Sequence, residues 1–264
     1  MLDLARTLRV VAALLRVGLS AALQYRADFL LDAVLGVLRA SAAVGPTVVL
    51  FSVREQVAGW TAPDVALVLG FYLILQALMS GLVEPNLGEV VEAIRSGNLD
   101  LLLLKPVDAQ LLVSFRRVQP AAIWDLLGGL AVLAWAGWQR PSPGWGAILV
   151  AVGLLPPGLA AMYSLWLLAI CTSFFFVRVD NLRYVLGAVV DAGRNPLVVY
   201  PPWMRVILTA VIPVGLITTF PASALRGEGG LSLWVLAMGI AVGFVIASRA
   251  AWLRSLAAYT SSGS

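Results

Sequence analysis

Few side chains in this sequence are of a type that does acid–base or nucleophilic chemistry. Histidine is absent, Lys105 is the single lysine and Cys171 the single cysteine. The commonest metal ligand and general base is therefore missing, and an internal disulfide is excluded. No Gly-x-x-x-x-Gly-Lys-Ser/Thr phosphate loop occurs, because Lys105 follows Leu104 and precedes Pro106. Zinc-ligand spacings, a nucleophile elbow and a dinucleotide fingerprint are missing too. No catalytic residue and no metal site stand out. What remains are ionisable groups inside apolar runs. Arg39 lies near the middle of one run and Asp125 near the middle of another. At about 1.5 Å per residue the two would sit at similar depth. Asp32 is nearer the inner surface, and Asp191 and Arg194 are spaced to pair along one helix. A charge inside a bilayer is costly unless paired or wetted, which makes these residues candidates for a transport pathway. A structural ion pair between packed helices is the other reading.

The apolar runs set the class. Of 264 residues, 61% are hydrophobic and 12% charged, whereas soluble domains carry roughly 25% charged residues. The expected fold is all-α and membrane-integral. The net charge of +4 is small and the basic residues are dispersed between runs. That suits anchoring of spans to a lipid bilayer and argues against nucleic-acid binding.

Residues 1–26 read as an amphipathic helix lying on the membrane surface, with Arg6, Arg9 and Arg16 on one side and Leu4, Leu8, Val11 and Leu15 opposite. A cytoplasmic extension of span one is the plainer alternative. Span one is expected over 29–51, span two over 65–83, span three over 113–135 and span four over 146–174. Thr61 and Asp64 form a capping-box-like start for span two. Residues 184–192 are too short to span unaided. Residues 195–224 carry several prolines and read as a re-entrant segment before a last span over 231–251. The chain forms one membrane domain over 1–264. With the first residues inside, twelve of the 18 basic residues fall in inner segments and five in outer ones, Arg39 being within a span. This is the positive-inside asymmetry, and it makes both termini cytoplasmic.

The same asymmetry puts residues 84–112 in the cytoplasm. Their first half reads as a short amphipathic helix, with Val90, Val91 and Ile94 on one side and Glu89, Glu92 and Arg95 on another. Gly97 suits the left-handed residue that ends a helix, and Lys105-Pro106 closes the apolar run that follows. A rigid piece of this kind is what a membrane protein needs to touch a soluble partner. Its apolar side would face either that partner or the membrane body.

Ile94, Arg95, Gly97, Leu99, Asp100, Leu103, Lys105 and Pro106 spell Ile-Arg-x-Gly-x-Leu-Asp-x-x-Leu-x-Lys-Pro. On this motif the sequence resembles the ABC-2-type permeases, in particular their bacterial branch of about this length. A second stretch, Asn195-Pro196, Tyr200, Ile212-Pro213 and Phe220-Pro221, is similar to that branch's proline pattern, with Asn and Phe where tyrosines are usual. The resemblance implies six transmembrane helices, a coupling helix between spans two and three, and a re-entrant segment before span six. It implies an exporter subunit of the bacterial inner membrane that works as a dimer, with an identical or a different second permease. It also implies two separate ABC ATPase subunits that carry the ATP and Mg. This chain itself would then be neither an enzyme nor the holder of a cofactor. The competing reading is a non-ABC membrane protein, an enzyme or an assembly scaffold.

Overall fold

The computed structural model describes residues 26–100, 104, 108–114, 117–174 and 182–259. The expected surface helix over 1–26 lies outside them, Arg26 apart. Among the described residues every regular element is helical. Four helices are long and apolar enough to cross a membrane: Phe29–Val53, Ala62–Ile94, Trp145–Phe174 and Gly230–Ala258. A fifth candidate is a pair, Pro202–Val211 and Pro213–Leu225, bent by 76°.

The first long helix, α1 (Arg26–Val53), carries Pro46 inside it. The next, α2 (Ala62–Leu78), starts where expected. Asp64 Oδ2 accepts the Thr61 N–H at 2.9 Å and its hydroxyl at 2.8 Å, and Pro63 occupies the first turn, where a missing N–H costs nothing. No break separates α2 from the amphipathic helix α3 (Glu84–Arg95). A π turn over Met79–Val83 joins them, and the run Ala62–Ile94 is 33 residues long. Proline explains the π turn. Pro85 has no N–H to give the Gly81 carbonyl, and the Gln119 N–H takes it instead at 2.8 Å.

The third expected span is corrected. Instead of one helix over 113–135, the chain forms α4 (Ala109–Ser114), breaks, and restarts as α5 (Ala122–Trp138). Pro120 sits in the break, and a proline disfavours helix at the residue before it. Asp125 therefore lies in the first turn of α5 and not at its middle. At 17 residues α5 is apolar but shorter than the other spans.

The long helix α6 (Trp145–Cys171) contains Pro156 and Pro157. Beyond it come α7 (Leu182–Asp191) and two 3-10 turns, Ala192–Arg194 and Leu197–Val199. The bent pair follows. Its first arm is α8 (Pro202–Val206) with a π turn over Ile207–Val211; its second is a 3-10 turn over Pro213–Leu216 and then α9 (Thr219–Leu225). Ile212 at the bend has φ −125° and ψ 89°, the extended conformation that Pro213 imposes on it. The last helix is α10 (Gly230–Ala258).

Helix α2 is the hub. It packs against α5, α1 and α9, while α6 and α10 form a second close pair. At the α2–α5 crossing a side chain on Gly129 would place its Cβ 3.0 Å from the Gly70 carbonyl oxygen and from the Ile74 backbone nitrogen. Glycine is what lets two backbones approach so closely where no hydrophobic effect pulls helices together. Trp138 and Trp145 are exposed beside the turn joining α5 to α6, as interfacial tryptophans are.

The end of the bundle where α2 begins is tied by charge. Buried Asp64 pairs with Arg140, which follows α5, and lies 3.8 Å from Arg226, which follows α9. Arg226 stacks over Trp60 at 4.1 Å and bonds Glu228 at 3.0 Å. Three connections thus share one carboxylate. Removing it leaves two guanidinium groups with little counter-charge. Asp64→Ala is expected to cost about 3 kcal/mol or more of stability. Reversible unfolding in mixed micelles checks this, and a loss near zero would refute the tie.

Candidate functional site

The 84–112 segment is anchored at both ends. Upstream, the side chain of Asn86 is buried. Its amide donates to the Leu82 carbonyl at 2.7 Å and the Arg117 carbonyl at 2.6 Å, and its oxygen accepts the Arg117 N–H at 2.6 Å. Glu89 meets the Arg117 guanidinium at 2.6 Å. The apolar side of α3 points inward. Val90 and Leu99 are buried, and Val91 and Ile94 pack against the core where α6 ends. Of the two directions open from sequence, this is the membrane body. Gly88, Glu92 and Ser96 form an exposed stripe at i, i+4 and i+8 on the other side. Gly97 closes the helix with φ +73°, the left-handed region that glycine enters freely. Asp100 is partly buried. Arg95 is the last residue of α3, and Lys105 and Pro106 lie outside the described residues.

Downstream, Asp108 caps α4. Its Oδ1 accepts the Gln110 and Leu111 N–H groups at 3.0 and 3.2 Å. Arg249 lies within α10 and grips Asp108 through two bonds of 3.2 and 2.6 Å. It also donates to Gln110 Oε1 at 2.8 Å. Gln110 in turn donates to Tyr163 on α6 at 3.3 Å. Partial burial pushes the Asp108 carboxyl up, but Arg249 and the two backbone donors outweigh it and hold the group below its ordinary value. A depressed carboxyl contributes stability that is complete above its unfolded pKa, and it is lost only as pH falls through the folded value. The tie therefore stays closed at neutral pH.

The intramembrane candidates form two pairs around one chamber. Arg39 binds Asp125 side-on, Nε to Oδ1 at 2.9 Å and Nη2 to Oδ2 at 3.1 Å. Arg194 reaches Asp191 at 3.0 Å, across the junction of α7 and the 3-10 turn. Tyr72, midway along α2, donates to the same Asp191 oxygen at 2.6 Å, and Arg194 lies 5.2 Å from the Tyr72 ring centre. Arg194, counted with the outer loops from charge alone, thus shares a cavity with Arg39 and Asp125. The sequence held no signal for the Asn86–Arg117, Asp108–Arg249 and Tyr72–Asp191 bonds, because each joins residues far apart in the chain.

Residues 44–263 match the family described as ABC-2 family transporter protein. The chain belongs to the ABC-2 transporter family. Neither a curated protein nor a solved structure matches it. The permease is a multi-pass membrane protein and a transport component, of a family that works with ABC ATPase subunits. The family match removes the non-ABC alternative.

Two predictions follow from this geometry. Asp125→Ala leaves the half-exposed Arg39 guanidinium midway along an apolar membrane helix without its counter-charge and is expected to cost about 3 kcal/mol. Adding Arg39→Leu should restore most of that loss, and a double variant as unstable as the summed singles would argue against the pair. Arg249→Ala removes three bonds to Asp108 and Gln110 and should cost about 1–2 kcal/mol. It should also raise proteolysis at Asp108 and Gln110, so an unchanged cleavage pattern there would mean that Arg249 does not hold the start of α4.

Proposed function

We propose that the permease is the membrane half of an ATP-driven exporter in a bacterial inner membrane. ATP and Mg act on two partner ATPase subunits, and a second permease, identical or related, completes the channel. α3 is the coupling helix. The observation that carries this reading is its division of labour. Its apolar side and both flanking anchors are committed to the permease, which leaves the stripe through Gly88, Glu92 and Ser96 facing solvent. A contact to a soluble partner needs an exposed side on a helix that does not roll.

In this reading the layout has six spans, with α5 as the short third, α7 in a short fifth, and the bent pair as the re-entrant segment before α10. Both termini are cytoplasmic. The coupling-region residues Glu89, Glu92, Ile94, Arg95, Gly97, Leu99, Asp100, Lys105 and Pro106 divide by role. Glu92 meets the ATPase, Ile94 and Leu99 seat the helix, Glu89 fixes it to Arg117, and Gly97 ends it. Arg95, Asp100, Lys105 and Pro106 belong to the same surface by resemblance to the family motif.

Glu92→Arg reverses the charge on the exposed stripe without touching the buried side. It should weaken ATPase capture, or abolish substrate stimulation of hydrolysis in nanodiscs, by about tenfold, while the permease stays folded. Unchanged capture and unchanged stimulation would remove α3 from the coupling mechanism.

A further inference from the structure

We propose that the chamber between α1, α2 and the start of α5 binds the positively charged head of an amphipathic molecule, and that Asp32 recognises the charge. Two polar cavities meet at Arg39, Gln76 and Asp125. One, about 240 Å³, adds Asp32, Ser80 and Gln119; the other, about 190 Å³, adds Tyr72 and Arg194. Tyr72, Gln76 and Ser80 stand at i, i+4 and i+8, so α2 and the π turn after it lay one polar stripe along both. That stripe runs about 12 Å along the helix.

Charge counting identifies the ligand. Arg39 is satisfied by both oxygens of Asp125, and Arg194 by Asp191. Each pair is neutral, so neither guanidinium is left for an anion. Asp32 lines the larger cavity and has no hydrogen bond or ion pair among the described residues. One carboxylate is therefore left over. Ala42 lines the smaller cavity, and its carbonyl has no intrahelical donor because Pro46 lacks an N–H. Both spare groups are acceptors, and an ammonium is a charged donor that complements them. Asp32 stands in the inner part of α1, and a bound cation supplies the counter-charge it lacks there.

The tail has a place as well. An apolar cavity of about 340 Å³, lined by Phe29, Leu78, Ile123 and Leu126, shares Gln119 and Ala122 with the larger polar one. A head in one and an alkyl chain in the other keep each group in matching surroundings. The inference rests on the export reading only for the fate of the ligand. Binding is measured without ATP turnover, so its failure would leave the Glu92 test untouched.

The test is equilibrium binding of radiolabelled dodecylammonium to the full-length permease in maltoside micelles. The wild type should bind it saturably, and dodecanol and dodecyl phosphate should compete poorly. Asp32→Asn should weaken binding about tenfold or more, since a charge pair away from water is worth several times that in water. Asp32→Glu should retain binding. Gln76→Leu, which fills the chamber and spares Asp32, should weaken it too. Competition by phosphatidylethanolamine would identify the head as that of a membrane lipid; strong binding without such competition would identify a non-lipid amphipath. Equal binding by wild type and Asp32→Asn, or dodecanol competing as well as the amine, would overturn the proposal.

Discussion

A guanidinium midway along an apolar membrane helix must bring its counter-charge with it, and Arg39 dictates much of this architecture on that ground. Its partner Asp125 is on α5, so α5 has to start at the depth of the middle of α1. Pro120 makes that possible by ending the preceding segment and letting α5 begin late. The start of α5 then packs on α1, where a side chain on Gly36 would collide with Trp124, and Trp124 donates to the Phe29 carbonyl at 3.2 Å. The shortness of α5 follows from where its carboxylate is required.

Backbone hydrogen bonding is the second constraint, since lipid offers no water to a freed carbonyl. Prolines free several here, and two are answered across helices. Pro85 releases Gly81, which the Gln119 N–H satisfies; Pro157 releases Gly153, which the Trp234 indole N–H satisfies at 3.2 Å. In both places the proline weakens a helix locally and binds it to a neighbour. The first bond ties α2 to the connection before α5, and the second ties α6 to α10.

These pairings explain what was legible in the sequence. Apolar length located the long helices, because crossing a bilayer demands a run that nothing else in the chain imitates. The start of α2, its Asp64 cap and the closure of α3 at Gly97 were legible because each is local, set by residues within one turn. The centre of span three was misplaced. An apolar run flanked by polar residues does not reveal that a proline divides it, nor that Asp125 belongs to a first turn. The amphipathic face of α3 was visible, but its direction was not, since an apolar stripe fits a partner and a membrane body equally well. The Asp64–Arg140–Arg226 cluster, the Asn86 clamp and the grip of Arg249 on Asp108 join residues dozens of positions apart. Periodicity carries no trace of such bonds.

The continuity of α2 with α3 connects the two halves of the mechanism proposed here. A coupling helix joined to its span by a loose loop would dissipate a push from below. In the permease the 33 residues of Ala62–Ile94 form one helical run, and the π turn inside it is held by the Gln119 bond to Gly81. A displacement of α3 therefore moves α2, and with it Ser80, Gln76 and Tyr72 on the chamber wall. α5 packs closely on α2 and carries Asp125 with it, so in the proposed mechanism the chamber would change shape against α1 and Asp191. Tyr72 bonds Asp191, which ties the moving helix to the segment before the bent pair. In the proposed mechanism, motion that begins at α3 would pass through that hydroxyl, which sets Tyr72 between the proposed coupling helix and the proposed chamber.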